Sequence, residues 1–173
     1  MRRRLLLACW LLFLPATAWP QAQEHELKAA YLYRFLSFME WPGQPPRADR
    51  PITIGVMGAD DVLAELQAIV PGRSAQGRPV VVRRVSEGQS LAGLQVLYVG
   101  PAAAGALARL SVPPGTALVS DGEAALDRGA AIAFVRSDGR VRFHVSLDAA
   151  DKQNVRISSR MLSVAEHVRG KRL

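Results

Sequence analysis

The chain has 173 residues, 49% of them hydrophobic and 21% charged, with a net charge of +7 and a single cysteine. That length suits one compact domain, and the apolar share excludes wholesale disorder and collagen-like composition. One cysteine excludes an intrachain disulfide framework and any multi-cysteine metal centre.

The basic start Arg2-Arg3-Arg4 precedes the apolar run Leu5 to Leu14 and the small-residue segment Pro15-Ala16-Thr17-Ala18. These are the three parts of a secretory signal peptide, and the run is too short to span a bilayer, which takes ~20 helical residues. Cleavage is expected after Ala18, with Ala22 as the alternative. Leu6-Leu7-Ala8-Cys9 also resembles a lipobox, but cleavage there would leave about four apolar residues as the hydrophobic region. Loss of residues 1–18 removes three arginines and no acid, lowering the net charge from +7 to +4, and takes Cys9 with it. The exported domain, 19–173, then has no thiol chemistry.

A helix is expected over residues 24–41, with Leu27, Tyr31, Phe35 and Phe38 on one stripe and Leu32, Leu36 and Met39 beside it. Trp41-Pro42 ends it, because the residue before proline disfavours the helical region. Two readings of so wide an apolar surface stand: both stripes are core, or one meets a partner subunit. After a proline-rich loop, strands are expected over 51–57, 80–85, 94–99 and 116–120, with helices over 62–70 and 102–110 and a helical turn over 122–127. Residues 131–136 and 140–146 flank Ser137-Asp138-Gly139, a hairpin signal, since such a turn needs positive φ. A short helix over 148–153 follows, then a helix from a Ser159 cap to about Val168 with Leu162, Ala165 and Val168 inward, and a basic tail, Arg169-Gly170-Lys171-Arg172. The pattern predicts a single layered α/β domain: a mostly parallel central sheet, helices on both faces and a C-terminal β-hairpin.

The sequence offers little for catalysis. Gly55-Val56-Met57-Gly58 follows a strand and opens a helix, but the third glycine of a dinucleotide fingerprint is missing. Asp60 and Asp61 stand where an anion would be received, and they would repel a phosphate. Gly100 and Gly105 have a Walker spacing without the Lys-Ser/Thr that should follow. His25, His144 and His167 are scattered, with no metal-ligand spacing, and His144 beside Arg142 on a strand reads as solvated or partner-facing. Asp121, Glu123 and Asp127 cluster at a helix start, where acids are favoured anyway. No Gly-x-Ser-x-Gly elbow is present. The expectation is a binding protein without cofactor or metal, and without the interleaved basic and aromatic residues of a nucleic-acid platform. The densest polar constellation is Asn154-Val155-Arg156-Ile157-Ser158-Ser159-Arg160. Alternation places Arg156 and Ser158 on one side. An arginine and two hydroxyls before a helix suit a carboxylate or phosphate, or Ser159 is only a cap and Arg156 a surface charge.

Several stretches in order resemble the YfiR family of exported proteins: Lys28 to Phe35 through Glu40-Trp41-Pro42, Ile52 to Gly58, Val96 to Gly100, Val141 to Val145, and Val155 to Leu162. The resemblance implies a periplasmic α/β domain that dimerises. It would repress an inner-membrane diguanylate cyclase by contacting the cyclase's periplasmic sensor domain, without catalysis of its own. An OmpA-type outer-membrane lipoprotein would sequester it, and the output would be cyclic di-GMP and biofilm formation. The expected contact residues are Tyr31, Phe35, His144, Arg156, Ser158, Ser159 and Arg160. The alternative is a periplasmic sensor of a small anionic ligand. The chain departs from the pattern at three places. Gly55 and Leu94 stand where better-known members carry cysteines, Ser158 replaces a histidine of the family's ligand segment, and Val145-Ser146 replaces Ile-Asn.

Overall fold

Apolar runs of four to seven residues, separated by glycine turns, become strands. The computed structural model describes residues 19–43 and 49–170. The expected signal peptide with Cys9, most of the proline-rich loop and Lys171-Arg172 of the tail lie outside the described residues. The chain runs α1 (Trp19–Phe35), β1 (Met39–Glu40), β2 (Ile52–Met57), α2 (Asp60–Ile69), β3 (Ser74–Ala75) and β4 (Arg78–Arg84). It continues through β5 (Val96–Val99), a 3-10 helix (Pro101–Arg109), β6 (Ala117–Asp121), α3 (Ala124–Asp127) and β7 (Ile132–Ser137). It closes with β8 (Arg140–Ser146), α4 (Leu147–Lys152), β9 (Arg156–Ile157), α5 (Ser159–Leu162) and β10 (His167–Arg169).

The main sheet has eight strands in the order β10-β8-β7-β6-β5-β2-β4-β3, with β2, β4, β5, β6 and β7 mutually parallel. Alternation sorts each strand's side chains between two cores. Ile54, Val56, Tyr98, Val119, Ile132 and Phe134 pack toward α1 and α2. Met57, Leu97, Val99, Leu118 and Ala133 pack with Leu107 of the 3-10 helix and Leu126 of α3 on the opposite face. Helices therefore cover both faces, as a parallel sheet requires. The C-terminal hairpin forms with Asp138 and Gly139 both at positive φ, 50° and 72°, and Ser137 paired with Arg140.

Gly55 and Leu94 are direct neighbours. A Cβ on Gly55 would lie 2.7 Å from Leu94 Cδ1, so the leucine methyls fill the space over the glycine. At this pair of positions an apolar contact takes the place the family resemblance marks for cysteines.

Three elements differ from the sequence expectation. α1 stops at Phe35 instead of Trp41. The amides of Leu36, Ser37 and Phe38 bond three residues back, tightening the last turn, and the Gln76 amide, 40 residues away, donates to Leu36 O and Met39 O at 2.6 and 2.7 Å. Helix-end carbonyls must find some donor, and here a distant loop supplies it, freeing residues 39–40 to pair with β9. The expected α-helix over 102–110 is a 3-10 helix; Ala103, Ala106 and Leu107 turn toward the sheet side. The expected last helix ends at Leu162, and residues 167–169 add an edge strand parallel to β8, with Glu166 N donating to Phe143 O.

Candidate functional site

The two apolar stripes expected over residues 24–41 are treated differently. Leu32, Leu36 and Met39 are fully buried, whereas the other stripe grades from Leu27, 40% exposed, to buried Phe35. Phe35 and Tyr31, one turn apart, pack on Phe134 of β7 and Phe143 of β8, with Phe35–Phe143 and Tyr31–Phe143 ring centroids 5.0 and 5.7 Å apart. Phe35 is thus a core residue. Half-buried Tyr31 and Leu27 form one wall of an open groove of about 330 Å³ whose other wall is the β7–β8 hairpin with Arg136, Arg140 and Arg142. The β7–β8 register pairs Arg136 with Val141, so Arg136 shares the face of Tyr31 and Phe143, while Arg140 and Arg142 alternate to the other face and border the groove at the hairpin's edge. Of the three, Arg136 lies 3.7 Å from a carboxylate, that of Glu24.

Beneath this groove lies a buried ionic network that the sequence did not announce. The Lys28 ammonium is 2.8 Å from Glu24 Oε1 and 2.9 Å from Asp121 Oδ1, and the Tyr98 hydroxyl donates to Asp121 Oδ2 at 2.7 Å. Burial, then the charge of Asp121, pushes the Tyr98 phenol far above its usual range. The hydrogen bond from Lys28 holds the Glu24 carboxyl below its usual range. The one sequence signal was the i, i+4 spacing of Glu24 and Lys28. Asp121, expected only to favour a helix start, is instead the anchor of this network.

In parallel sheets ligands commonly sit where the strand order reverses, beyond the carboxyl ends. Here that point lies between β2 and β5, and the chain itself fills it. Gly100 N donates to Met57 O and Ala102 N to Gly58 O, at 2.8 and 3.3 Å. A Cβ on Gly100 would come within 2.5 Å of Ala59 Cβ, and one on Gly58 equally close to Ala103. Gly58 and Gly100, which resembled parts of phosphate loops, serve this close approach.

His144 lies on the opposite face of the sheet from Tyr31 and Phe35. It is enclosed, not solvated: its ring is 12% exposed, with Nε2 3.4 Å from Glu166 Oε2 and Nδ1 3.9 Å from Glu123 Oε1. The His167 ring lies 5.6 Å away, brought there by the β8–β10 pairing of His144 with His167. The Glu166 carboxyl is held below its usual range by the Ser137 hydrogen bond and then by His144. Among the described residues no group of three or more such side chains is placed to hold a metal ion.

Arg156 to Arg160 form a third, separate place. β9 pairs antiparallel with β1, setting Arg156 opposite Glu40 and Ile157, buried, opposite Met39. The helix cap is Ser158, not Ser159: its Oγ accepts from Met161 N at 3.3 Å. Either serine fits the cap rule locally, and the β9 pairing decides which one reaches the helix start. Arg156, Ser159 and Arg160 are exposed. The expected contact residues therefore fall in three regions, not one: Tyr31 and Phe35, then His144, then Arg156, Ser158, Ser159 and Arg160.

Known proteins give the following picture. No curated protein matches the chain. A solved structure described as a conserved domain protein from Vibrio cholerae O1 biovar El Tor str. N16961 is similar at 12% identity with a TM-score of 0.55, over 84% of this chain and 60% of that one. The chain thus spans about three-fifths of that protein's length, and the likeness is one of fold. The model of the YfiR/HmsC-like family matches residues 25–166. That span includes the helix with Tyr31, the hairpin with His144 and the Arg156 segment, and the chain belongs to the YfiR/HmsC-like family.

Proposed function

We propose that the protein is a non-enzymatic periplasmic regulator that binds the periplasmic sensor domain of an inner-membrane diguanylate cyclase and represses it, lowering cyclic di-GMP and biofilm formation. Family membership supports the regulatory role. The observation that carries the binding surface is the groove that exposed Leu27 and half-buried Tyr31 form with Arg136, bordered by Arg140 and Arg142 of the hairpin. Apolar anchors with a charged rim suit protein recognition: the anchors hold, and the charges set orientation and rate. The exposed Arg156, Ser159 and Arg160 would add a second contact. Export by the 1–18 signal, a homodimer and an OmpA-type lipoprotein that relieves repression complete the reading. No helix among the described residues is long and apolar enough to cross a membrane.

Deleting the gene and measuring intracellular cyclic di-GMP tests the role, with a rise expected; no rise rejects repression. Complementation with the Arg140→Glu/Arg142→Glu double variant tests the surface. Both side chains are exposed, so folding should survive and repression should be lost. Full repression by that variant removes the groove from the interface.

A further inference from the structure

The amino ends of β2, β5 and β6 open on a different cavity, of about 510 Å³, at the opposite end of the sheet from the groove. Its walls include Pro51, Pro113 and Pro114, and two arginines line it: Arg50, which is exposed, and Arg78, the first residue of β4, which is 6% exposed. Arg78 Nε donates to Arg50 O at 2.7 Å and Nη2 to Pro51 O at 2.9 Å. A guanidinium has five N–H donors. Two are thus spent on carbonyls and three remain, two of them the parallel pair on the end-on Nη1/Nη2 edge.

No ion pair among the described residues includes Arg78. Burial and the neighbouring Arg50 both disfavour its charge, and exposed Asp49 offsets this only in part. A buried cation without a carboxylate is costly, more so with a second cation beside it. The two carbonyl bonds explain how Arg78 holds the 50–51 turn. They leave the charge, only partly offset by Asp49, and the open cavity unexplained. Two of the cavity's other polar residues bond to the protein itself. The Thr116 hydroxyl donates to Leu94 O at 2.8 Å, and Thr53 N donates to Gln95 Oε1 at 2.8 Å.

We infer that this cavity is a binding site for a small anion, a carboxylate or a phosphate monoester, held by the free guanidinium edge of Arg78 and by Arg50 between proline walls. A guanidinium edge matches two oxygens of such a group. The site stands apart from the cyclase reading and does not depend on it.

Calorimetric titration of the full chain at constant ionic strength tests it, with inorganic phosphate in one arm, acetate in the other and chloride as the control. Saturable heat with phosphate assigns a phosphate ligand, and saturable heat with acetate a carboxylate. Arg50→Ala, at an exposed position, should weaken either by about tenfold or more, the scale of a lost charged hydrogen bond. Arg78→Gln should abolish binding, and a circular-dichroism spectrum checks that it folds. Responses equal to chloride in both arms, or an unchanged affinity in Arg50→Ala, overturn the site.

Discussion

Lys28 and Arg78 are each 6% exposed, yet Lys28 sits between two carboxylates while Arg78, among the described residues, hydrogen-bonds to two backbone carbonyls and forms no ion pair. The first arrangement is closed. Lys28 joins α1 to the end of β6, and Tyr98 satisfies the second oxygen of Asp121. The second is open, because Arg78 lines a cavity with three N–H donors beyond its two carbonyl bonds. Burial alone therefore does not tell a structural cation from a receptive one; what tells them apart is whether the counter-charge lies within the chain.

Three changes would break or sharpen that contrast. The largest effect is expected for Lys28→Met. It leaves Asp121 without its cation and Glu24 with only the more distant Arg136, and breaking a buried pair in this way costs about 3–5 kcal/mol. Because the two carboxylates are 23% and 19% exposed, about 2–3 kcal/mol is expected here in urea unfolding. A loss below the level of a surface pair, about 0.5 kcal/mol, would mean that the network is not closed. Tyr98→Phe comes next. It removes one hydrogen bond to a charged acceptor and should cost about 1.5 kcal/mol in the same assay. The smallest effect is the pH dependence. Glu24 titrates lower in the fold than its ordinary 4.5, so its contribution is complete above that value and is lost as pH falls through the folded pKa. Unfolding measured from about pH 6 down to pH 3 should show this loss, and Lys28→Met, lacking the main cause of the shift, should flatten it.

Much of the fold was legible in the residues. Ile52 to Met57, Val96 to Val99 and the Asp138-Gly139 hairpin appear where period and turn chemistry place them. The misreadings occur where a distant partner overrides a local preference. Residues 36–41 keep a helical apolar pattern, but Gln76 caps the helix early and β9 claims residues 39–40. Val164 to Val168 continue a plausible helix, but the free edge of β8 captures 167–169 as a strand. The candidate site was legible as single residues rather than as a place. Tyr31, His144 and Arg156 were recognisable as unusual, and nothing in their spacing told that the sheet sets the first two on opposite faces.

What the sequence determined by itself is the alternation of strands and helices, the inward faces, the hairpin and the absence of thiols from 19–173. These follow from period, turn stereochemistry and composition, which are local properties. Only the tertiary structure decided that Gly58 and Gly100 seal the strand-order crevice, that Leu94 covers Gly55, and that Lys28 gains Asp121 as a counter-ion where Arg78 has no ion pair among the described residues. The reason is that steric fit and charge compensation depend on separations of a few ångströms between residues 27 to 93 positions apart, and no local pattern encodes them.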